Sequence, residues 1–350
     1  MNPKCEDGAL AWAWSAIAAK WRDAEALSQT PLKGDASARR FWRIALARRR
    51  KQTPESVIVV DLGPDDLPMY ARALGLYPKS MREPPWVNVH RFLKSFDVPV
   101  PELYAWSAAE RALLVEDVGS TALADAARSG DAADLYRDAV RELVRIHAEG
   151  TQRRDARCVA FSVAYDERLF AWEMEQFVEY GLAEVAQGAD PHALRDDVAQ
   201  LARRLGRLPR VFSHRDFHGN NLFVQDNGRV RIIDFQDALM APAAQDLAVL
   251  LTTRDAAELI TPAIESRLLD FYYAGRMRAG GLALSYEEFL ASYRLCVLQH
   301  ALKVIGRFIY LERHGTAGYA RYVPYALAQA RRMLSRMSDE FPRLAGALAA

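Results

Sequence analysis

The chain has 350 residues, of which 51% are hydrophobic and 26% charged, and its formal net charge is +1. These values are ordinary for a globular enzyme of one large or two medium domains. They exclude a global positive field that recruits nucleic acid or an anionic membrane. The three cysteines, Cys5, Cys158 and Cys296, are far apart and form no CxxC pair. This argues against a disulfide framework or a zinc site and favours a cytoplasmic protein.

The apolar stretch ALAWAWSAIAA, residues 9–19, has the apolarity of a targeting segment. However, Glu6 and Asp7 precede it, where a signal peptide needs net positive charge, and the stretch is too short to span a bilayer. We interpret it as the first packed helix, with a targeting segment as the alternative.

The rest of the first third of the chain indicates β-strands. PLKGDASARRFWRIAL, residues 31–46, predicts two strands joined by a turn of small residues, and SVIVVDL, residues 56–62, predicts a buried strand. The proline-rich segment 97–106 is interpreted as a connection. RALLVEDVG, residues 111–119, predicts another strand that ends on two acidic residues and a glycine.

From about residue 120 the hydrophobic pattern becomes helical. In LYRDAVRELVRIHAE, residues 135–149, apolar side chains recur at the spacing of one helix face. Further stretches with this periodicity are residues 166–180, 192–206, 245–276 and 286–312.

A small group of strands interrupts these helices. VFSHRD and LFVQ are followed by an Asp226-Asn227-Gly228 turn and by VRIIDF, and Asn-Gly between apolar runs is a strong hairpin signal. We therefore predict a strand-rich lobe over residues 1–118 and a helical lobe over residues 119–350, with a ligand site in the cleft between them.

The segment HRDFHGNN, residues 214–221, precedes this hairpin, and Asp234 ends the hairpin's second strand. Pairing of the two strands brings Asn221 close to Asp234, while Asp216 stays at the mouth of the loop. A carboxylate with an amide oxygen suits Mg²⁺, and a separate carboxylate can accept a proton from a hydroxyl. That division of roles fits phosphoryl transfer. The alternative is a polar surface turn.

The order of these motifs resembles the kinase catalytic loop H-R-D-L-x-x-x-N followed by D-F-G. The chain as a whole resembles the aminoglycoside phosphotransferase and choline kinase-like family, which has the protein-kinase-like fold. Within that family it looks most like bacterial N-acetylmuramate/N-acetylglucosamine anomeric sugar kinases. The segments that carry the closer match are 32–44, 113–119, 214–224, 232–251 and 298–308.

The resemblance implies a bilobal α+β fold, with a small β-rich nucleotide-binding lobe and a larger helical lobe that holds the catalytic loop. It implies that Asp216 is the catalytic base and that Asn221 and Asp234 bind Mg²⁺. By the same resemblance, His214 and Asp246 support the catalytic loop. Gly34 and Ser37 lie in the loop over the ATP phosphates. The hinge that binds adenine is formed by Glu116, Asp117 and Val118. The alternative for Asp246 is an ordinary acidic residue at a helix N-terminus. The alternative for residues 116–118 is the end of a strand with no role in binding.

The sequence departs from protein kinases at two places. The strand lysine of V-A-I-K is absent, because Val60 or Asp61 occupies its position, and Gln236 replaces the glycine of D-F-G. The charge of the phosphates must therefore be met by another residue. The candidates are Lys33, Arg39, Arg40 and Arg43, each of which is otherwise a solvated strand residue.

Four further residues are acceptor-site or structural candidates. His218 follows the predicted base by two residues and is either a sugar contact or a histidine that hydrogen-bonds the loop backbone. His147 lies on an apolar helix face and is interpreted as structural. His300 and Lys303 are one turn apart and face either the acceptor pocket or, as helical surface residues, the solvent.

We predict an ATP-dependent kinase that uses Mg²⁺ and phosphorylates the anomeric hydroxyl of an N-acetylated amino sugar in cell-wall recycling. Its predicted partners are the amino sugar and the nucleotide, with no nucleic acid or membrane, and we favour a monomer. Two alternatives stay open: an aminoglycoside or amino-alcohol phosphotransferase, and a catalytically silent nucleotide-binding scaffold. The last third of the chain has basic residues and no dense acidic cluster, which favours a neutral or acidic sugar over a cationic acceptor.

Overall fold

The computed structural model describes residues 8–32, 39–47, 52–64, 67–78, 81–186, 190–254 and 256–349. Its first part is built on an antiparallel five-stranded sheet, in which the spatial order of the strands is β1-β2-β3-β5-β4. The strands are β1 (Ala26–Leu32), β2 (Arg40–Leu46), β3 (Ser56–Asp61), β4 (Leu103–Ser107) and β5 (Ala112–Glu116).

Helices cover this sheet. Helix α1 (Gly8–Lys20) packs its buried Leu10, Ala13 and Ile17 against a small apolar cluster of strand residues, so the predicted first helix is confirmed. Helices α2 (Met69–Leu74) and α3 (Pro85–Lys94) follow β3. Apolar residues of α3 belong to the main hydrophobic core, which continues into the second part of the chain.

The second part is mostly helical. Pro191 and Pro262 stand at the first positions of α8 and α11, where proline costs no hydrogen bond, and a capping box of Ser285 and Glu288 starts the longest helix, α12. The helices are α4 (Leu123–Ser129), α5 (Ala132–Gln152), α6 (Glu167–Gln176), α7 (Leu182–Val185), α8 (Pro191–Gly206), α9 (Gln245–Thr252), α10 (Ala256–Leu259), α11 (Pro262–Arg278), α12 (Tyr286–Arg313), α13 (Val323–Leu334) and α14 (Pro342–Leu348).

Two short strand pairs lie among these helices. Strand β7 (Leu222–Val224) pairs with β8 (Val230–Ile232), and Gly228 in the turn between them has a φ of 76°, which glycine adopts without strain. This is the hairpin that the Asn-Gly signal predicts. Strand β6 (Arg210–Ser213) pairs with β9 (Leu239–Pro242) and so fixes both ends of the segment that contains HRDFHGNN and Asp234.

The packing of α12 determines where one wall of the site lies. Helix α6 continues into a π-helical turn, Phe177–Gly181, and α12 crosses it at Gly306. A Cβ atom at position 306 would lie 2.2 Å from the amide nitrogen of Phe177, so only glycine allows this approach. The glycine of the LKVIGRF segment therefore has a packing role.

The structure corrects several details of the sequence interpretation. The segment 97–106, interpreted as a connection, contains the start of edge strand β4, because its prolines precede the strand and leave its hydrogen bonds intact. The periodic stretch 245–276 is three helices, interrupted near Arg254, which has a φ of 51°, and before Pro262. The boundary predicted between residues 118 and 119 lies between β5 and α4 and stays a prediction. No helix of the described residues is both long and apolar enough to cross a bilayer.

Candidate active site

The loop 214–221 connects β6 to β7 and brings the predicted metal ligands together. Asn221 lies next to the β7–β8 pair, and its Nδ2 donates to the carbonyl of Asp216 at 2.9 Å and to Oδ2 of Asp234 at 3.4 Å. The backbone amide of Ile233 donates to the carbonyl of Asn221 at 3.0 Å. The hairpin therefore brings Asn221 next to Asp234, as the sequence predicts. Asn221 also contacts the backbone carbonyl of Asp216.

Asp246 supports this loop from the first turn of α9. Its carboxylate is fully buried and accepts hydrogen bonds from the backbone amides of His214 and Arg215, each at 2.8 Å, and from Nε2 of His147 at 2.8 Å. Burial raises the pKa of this carboxyl, but the hydrogen bonds from His147 and His214 outweigh it and lower the pKa. These contacts are those expected of a residue that holds the loop. His147 has a structural role, because it hydrogen-bonds the Asp246 carboxylate.

Two residues of the site have left-handed backbone conformations that are uncommon without glycine. Arg215 has a φ of 77° and Asp234 a φ of 63°. Asp246 holds Arg215 through its amide, and the side chain of His214 holds the segment before Asp234 through the carbonyl of Ile233, at 3.0 Å. Strained backbone of this kind is retained where surrounding contacts fix it, which is common at functional sites.

The side chain of Arg215 forms a network that the sequence analysis did not identify. Its guanidinium donates to Glu173 at 2.8 Å and to Asp237 at 3.1 Å, and it lies 4.2 Å from the centre of the Tyr70 ring. Glu173 also pairs with Lys303 at 3.1 Å and accepts a hydrogen bond from Tyr165. This network links α6, α12 and the loop 214–221. Arg215 lies in the HRD motif and Lys303 is a predicted acceptor-pocket candidate, but no sequence pattern marks Glu173.

The charge of Asp216 is favoured by this network. Burial raises the pKa of its carboxyl, but the positive charges of Arg215 and Lys303 outweigh it and hold the pKa at about 2. One third of the side chain is exposed, and it lines the cavity described below. Asp216 is therefore an ionised, accessible carboxylate at neutral pH, able to accept a hydrogen bond from a hydroxyl.

Asn221 and Asp234 fit a hard cation. They carry one amide and one carboxylate, and 40% of the Asp234 side chain is exposed, which leaves room for water and phosphate oxygens. Nδ2 of Asn221 faces Asp234 in this structure, so the amide must turn over to present its oxygen to a cation. Oδ1 of Asp234 also accepts from Gln236 at 2.8 Å, which gives the residue in place of the D-F-G glycine a role in orienting this carboxylate. Among the described residues no group of three or more His, Cys, Asp or Glu side chains forms a self-sufficient metal site.

The structure separates the basic candidates for phosphate binding. Nη1 of Arg39 lies 3.2 Å from Oδ1 of Asp234, at the predicted metal site. Arg40 pairs with Asp61 on the neighbouring strand, the position of the missing lysine, and Arg43 pairs with Asp117. Lys33 and the predicted phosphate-loop residues Gly34 and Ser37 lie outside the described residues.

The predicted hinge lies at the end of β5. Glu116 is the last residue of the strand, its side chain pairs with Arg231, and Val118 is buried. Asp117 accepts from Arg43 at 2.6 Å and from Ser56 at 2.6 Å. These side chains therefore fix the link between the sheet and the helical part, while adenine binding by the hinge backbone stays a prediction.

A cavity of about 500 Å³ opens beside Asp216. His218, two residues after Asp216, lines it, and so do His300 and Lys303 from α12. The interpretation of His300 and Lys303 as helical surface residues is therefore wrong, because α12 is packed into the molecule and turns this face to the cavity. Burial lowers the pKa of His300 to about 3, so its imidazole is neutral, and Nε2 lies 2.5 Å from Oγ1 of Thr253.

Comparison with known proteins shows the family to which the chain belongs. Residues 28–282 match the APH phosphotransferase enzyme family. A Caulobacter vibrioides protein named N-acetylmuramate/N-acetylglucosamine kinase is 30% identical over 84% of this chain and 84% of its own. A Pseudomonas aeruginosa protein of the same name is 28% identical over 88% of this chain and 84% of its own.

Among solved structures, choline kinase from Cryptosporidium parvum superposes with a TM-score of 0.63, covering 94% of each chain at 12% identity. This likeness confirms the bilobal, protein-kinase-like α+β fold that the sequence predicts. The family match spans well over half of the chain and includes the loop 214–221 and Asp234. The chain belongs to the APH phosphotransferase enzyme family.

Proposed function

We propose that this protein is an ATP-dependent kinase that phosphorylates the anomeric hydroxyl of N-acetylmuramate and N-acetylglucosamine in the recycling of cell-wall sugars. The observation that carries the proposal is the position of Asp216, an ionised carboxylate between the Asn221–Asp234 pair and a cavity large enough for a sugar. The relatives named for this activity match most of the chain. Because the reaction consumes ATP, we place it in the cytoplasm.

Asp216 acts as the base in this proposal. It orients the sugar hydroxyl and accepts its proton as the hydroxyl oxygen bonds to the γ-phosphorus and the bond from that phosphorus to the ADP oxygen breaks. Its carboxylate is ionised at neutral pH, as this role needs. Asp246 contributes indirectly, by holding the backbone amides of His214 and Arg215 just before Asp216, and His147 holds Asp246.

Asn221 and Asp234 would hold Mg²⁺, which would neutralise phosphate charge when bound. Arg39 is the basic residue at this end of the site, and we propose that it supplies the positive charge that the absent strand lysine provides in protein kinases. It contacts Asp234 in the structure, so it lies within reach of phosphates bound there. Arg40 and Arg43 pair with Asp61 and Asp117, neither of which is a predicted metal ligand, which makes them poorer candidates.

The charges of the cavity distinguish this proposal from a kinase of cationic acceptors. Acidic residues do line it: three come from α6 and the π-helical turn, Asp216 comes from the loop 214–221, and Asp237 follows strand β8. Glu173 is neutralised by Arg215 and Lys303, and Glu175 by Arg195. Pairing removes Glu173, Glu175 and Asp237 from the negative charge offered to an aminoglycoside or an amino alcohol. The charges of Lys303 and Arg307 in the same cavity oppose the charge that Asp216 and Glu179 retain.

A coupled assay of ADP release with a panel of acceptors tests the proposal. We expect turnover with N-acetylmuramate and N-acetylglucosamine and none with choline or kanamycin, and we expect Asp216→Asn to abolish it. Turnover with only the cationic acceptors would reverse the assignment. Nucleotide binding without turnover of any acceptor would support the silent scaffold.

A further inference from the structure

One wall of the cavity is a single face of α12. His300, Lys303 and Arg307 recur at helical spacing, so their side chains project from the same side, and all three line the cavity. Lys303 pairs with Glu173, which also binds Arg215 next to Asp216, so this residue lies at the end of the face nearest to Asp216. Arg307 lies four residues further, about 6 Å along the helix axis. The face therefore runs from the catalytic carboxylate into the cavity.

The polar groups on this face differ in their partners. Lys303 pairs with Glu173, and His300 hydrogen-bonds Thr253. The guanidinium of Arg307 lies 5.5 Å from the centre of the Tyr310 ring, and no carboxylate of the described part of the chain is within ion-pair distance of it. Arg307 is partly buried, and burial lowers its pKa. A partly buried cation without an anion is unfavourable, and a bound anion relieves that cost.

The acidic residues that line the cavity are engaged elsewhere. Glu173 and Asp237 both bind Arg215, and Glu175 pairs with Arg195. Glu179 accepts a hydrogen bond from the hydroxyl of Tyr180, which raises the pKa of that hydroxyl. Asp216 is the predicted base. The cavity thus presents a guanidinium whose counterion none of these side chains supplies.

We propose that Arg307 binds a carboxylate on the acceptor and sets the preference for an anionic over a neutral amino sugar. This inference rests on the proposed function and adds a specificity residue to it. N-acetylmuramate carries a lactyl carboxylate that N-acetylglucosamine lacks. The planar fork of a guanidinium matches a carboxylate with two parallel hydrogen bonds. The offset along α12 between Lys303 and Arg307 is comparable to the span of a pyranose ring, so one sugar can place a hydroxyl at Asp216 and its carboxylate at Arg307.

The test compares three acceptors with the full-length protein and saturating Mg-ATP: N-acetylmuramate, its uncharged carboxamide, and N-acetylglucosamine. We expect Arg307→Gln to raise the KM for N-acetylmuramate about 10- to 100-fold, the loss typical of a hydrogen-bonded charge pair. The KM values of the two neutral sugars and all three kcat values should stay near those of the wild type. Arg307→Lys should restore part of the affinity, since it keeps the charge but loses the fork.

Arg313→Gln is the matched control, because Arg313 is on the same helix but pairs with Glu184 at an exposed position outside the cavity. It should leave all three KM values unchanged, and thermal unfolding should show that each variant is folded. Equal changes in KM for the acid and its carboxamide in Arg307→Gln would overturn the inference and leave the proposed function intact. If the wild type phosphorylates none of the three sugars, the proposed function fails and the inference with it.

Discussion

Gly306 of α12 lies directly against the backbone of Phe177 in the π-helical turn after α6. A Cβ atom at position 306 would be 2.2 Å from the amide nitrogen of Phe177 and 2.4 Å from the carbonyl carbon of Gln176. Because these are backbone atoms, they cannot rotate away. This contact sets the distance between α6, which carries Glu173, and the α12 face that carries Lys303 and Arg307.

Gly306→Ala should therefore destabilise the protein even though alanine favours helix. We expect a loss of about 1–3 kcal/mol or more in the free energy of unfolding, measured by urea denaturation, from the forced separation of the helices. Gly346→Ala is the matched control, because a Cβ there meets nothing within 4 Å and position 346 lies in helix α14. It should be neutral or slightly stabilising. Equal stability of the two variants would contradict the packing role of Gly306.

Glu173→Gln should destabilise the protein, because the buried ion network depends on the carboxylate of Glu173. Removing the charge leaves Arg215 and Lys303 without their shared partner, which we expect to cost about 3–5 kcal/mol in unfolding free energy at pH 7. Burial raises the pKa of Glu173, but the charges of Lys303 and Arg215 outweigh it and hold the pKa at about 2, below the ordinary value of 4.5.

The pH dependence of this difference follows from the sign of the shift. A carboxyl whose pKa is lowered on folding contributes its stability above the unfolded value and loses it as the pH falls towards the folded value. The difference in unfolding free energy between wild type and Glu173→Gln should thus be constant well above pH 4.5 and should shrink as the pH falls from 4.5 to about 2. A difference that does not change with pH would show that the glutamate acts through shape and not through charge.

Arg39→Met should weaken nucleotide binding, since Arg39 is the basic residue placed at Asp234. We expect the KM for ATP to rise about tenfold, as for loss of a charged hydrogen bond, with the acceptor KM unchanged. Calorimetric titration with ADP and Mg²⁺ provides a readout besides activity. Arg40→Met is the matched control, because Arg40 pairs with Asp61 on the sheet. A larger effect of Arg40→Met would assign the phosphate charge to Arg40.

The parts of the site that the sequence predicts are those encoded locally. HRDFHGNN, the Asn-Gly turn and IIDF are close in sequence, and hairpin geometry alone brings Asn221 to Asp234. The strands β2, β3 and β5 and the helices α5, α8 and α12 also follow from hydrophobic periodicity.

The parts that the sequence does not predict depend on long-range contacts. Glu173 reaches Arg215 across 42 positions and Lys303 across 130, so no window of the sequence shows that these three charges meet. Strand β9 is only four residues long and is defined by its partner β6. The position of the α12 face that lines the cavity depends on Gly306, whose packing role is visible only once α6 and α12 are placed together.

The central claim is that Asp216 accepts the proton of a sugar's anomeric hydroxyl during phosphoryl transfer. The most direct test is ³¹P NMR of the product formed from Mg-ATP and N-acetylglucosamine by the wild type and by Asp216→Asn. We expect a sugar 1-phosphate with the wild type and a rate about 10²- to 10⁴-fold lower with Asp216→Asn, the range for loss of a general base. Phosphate on another hydroxyl, or an Asp216→Asn variant as fast as the wild type, would contradict the account.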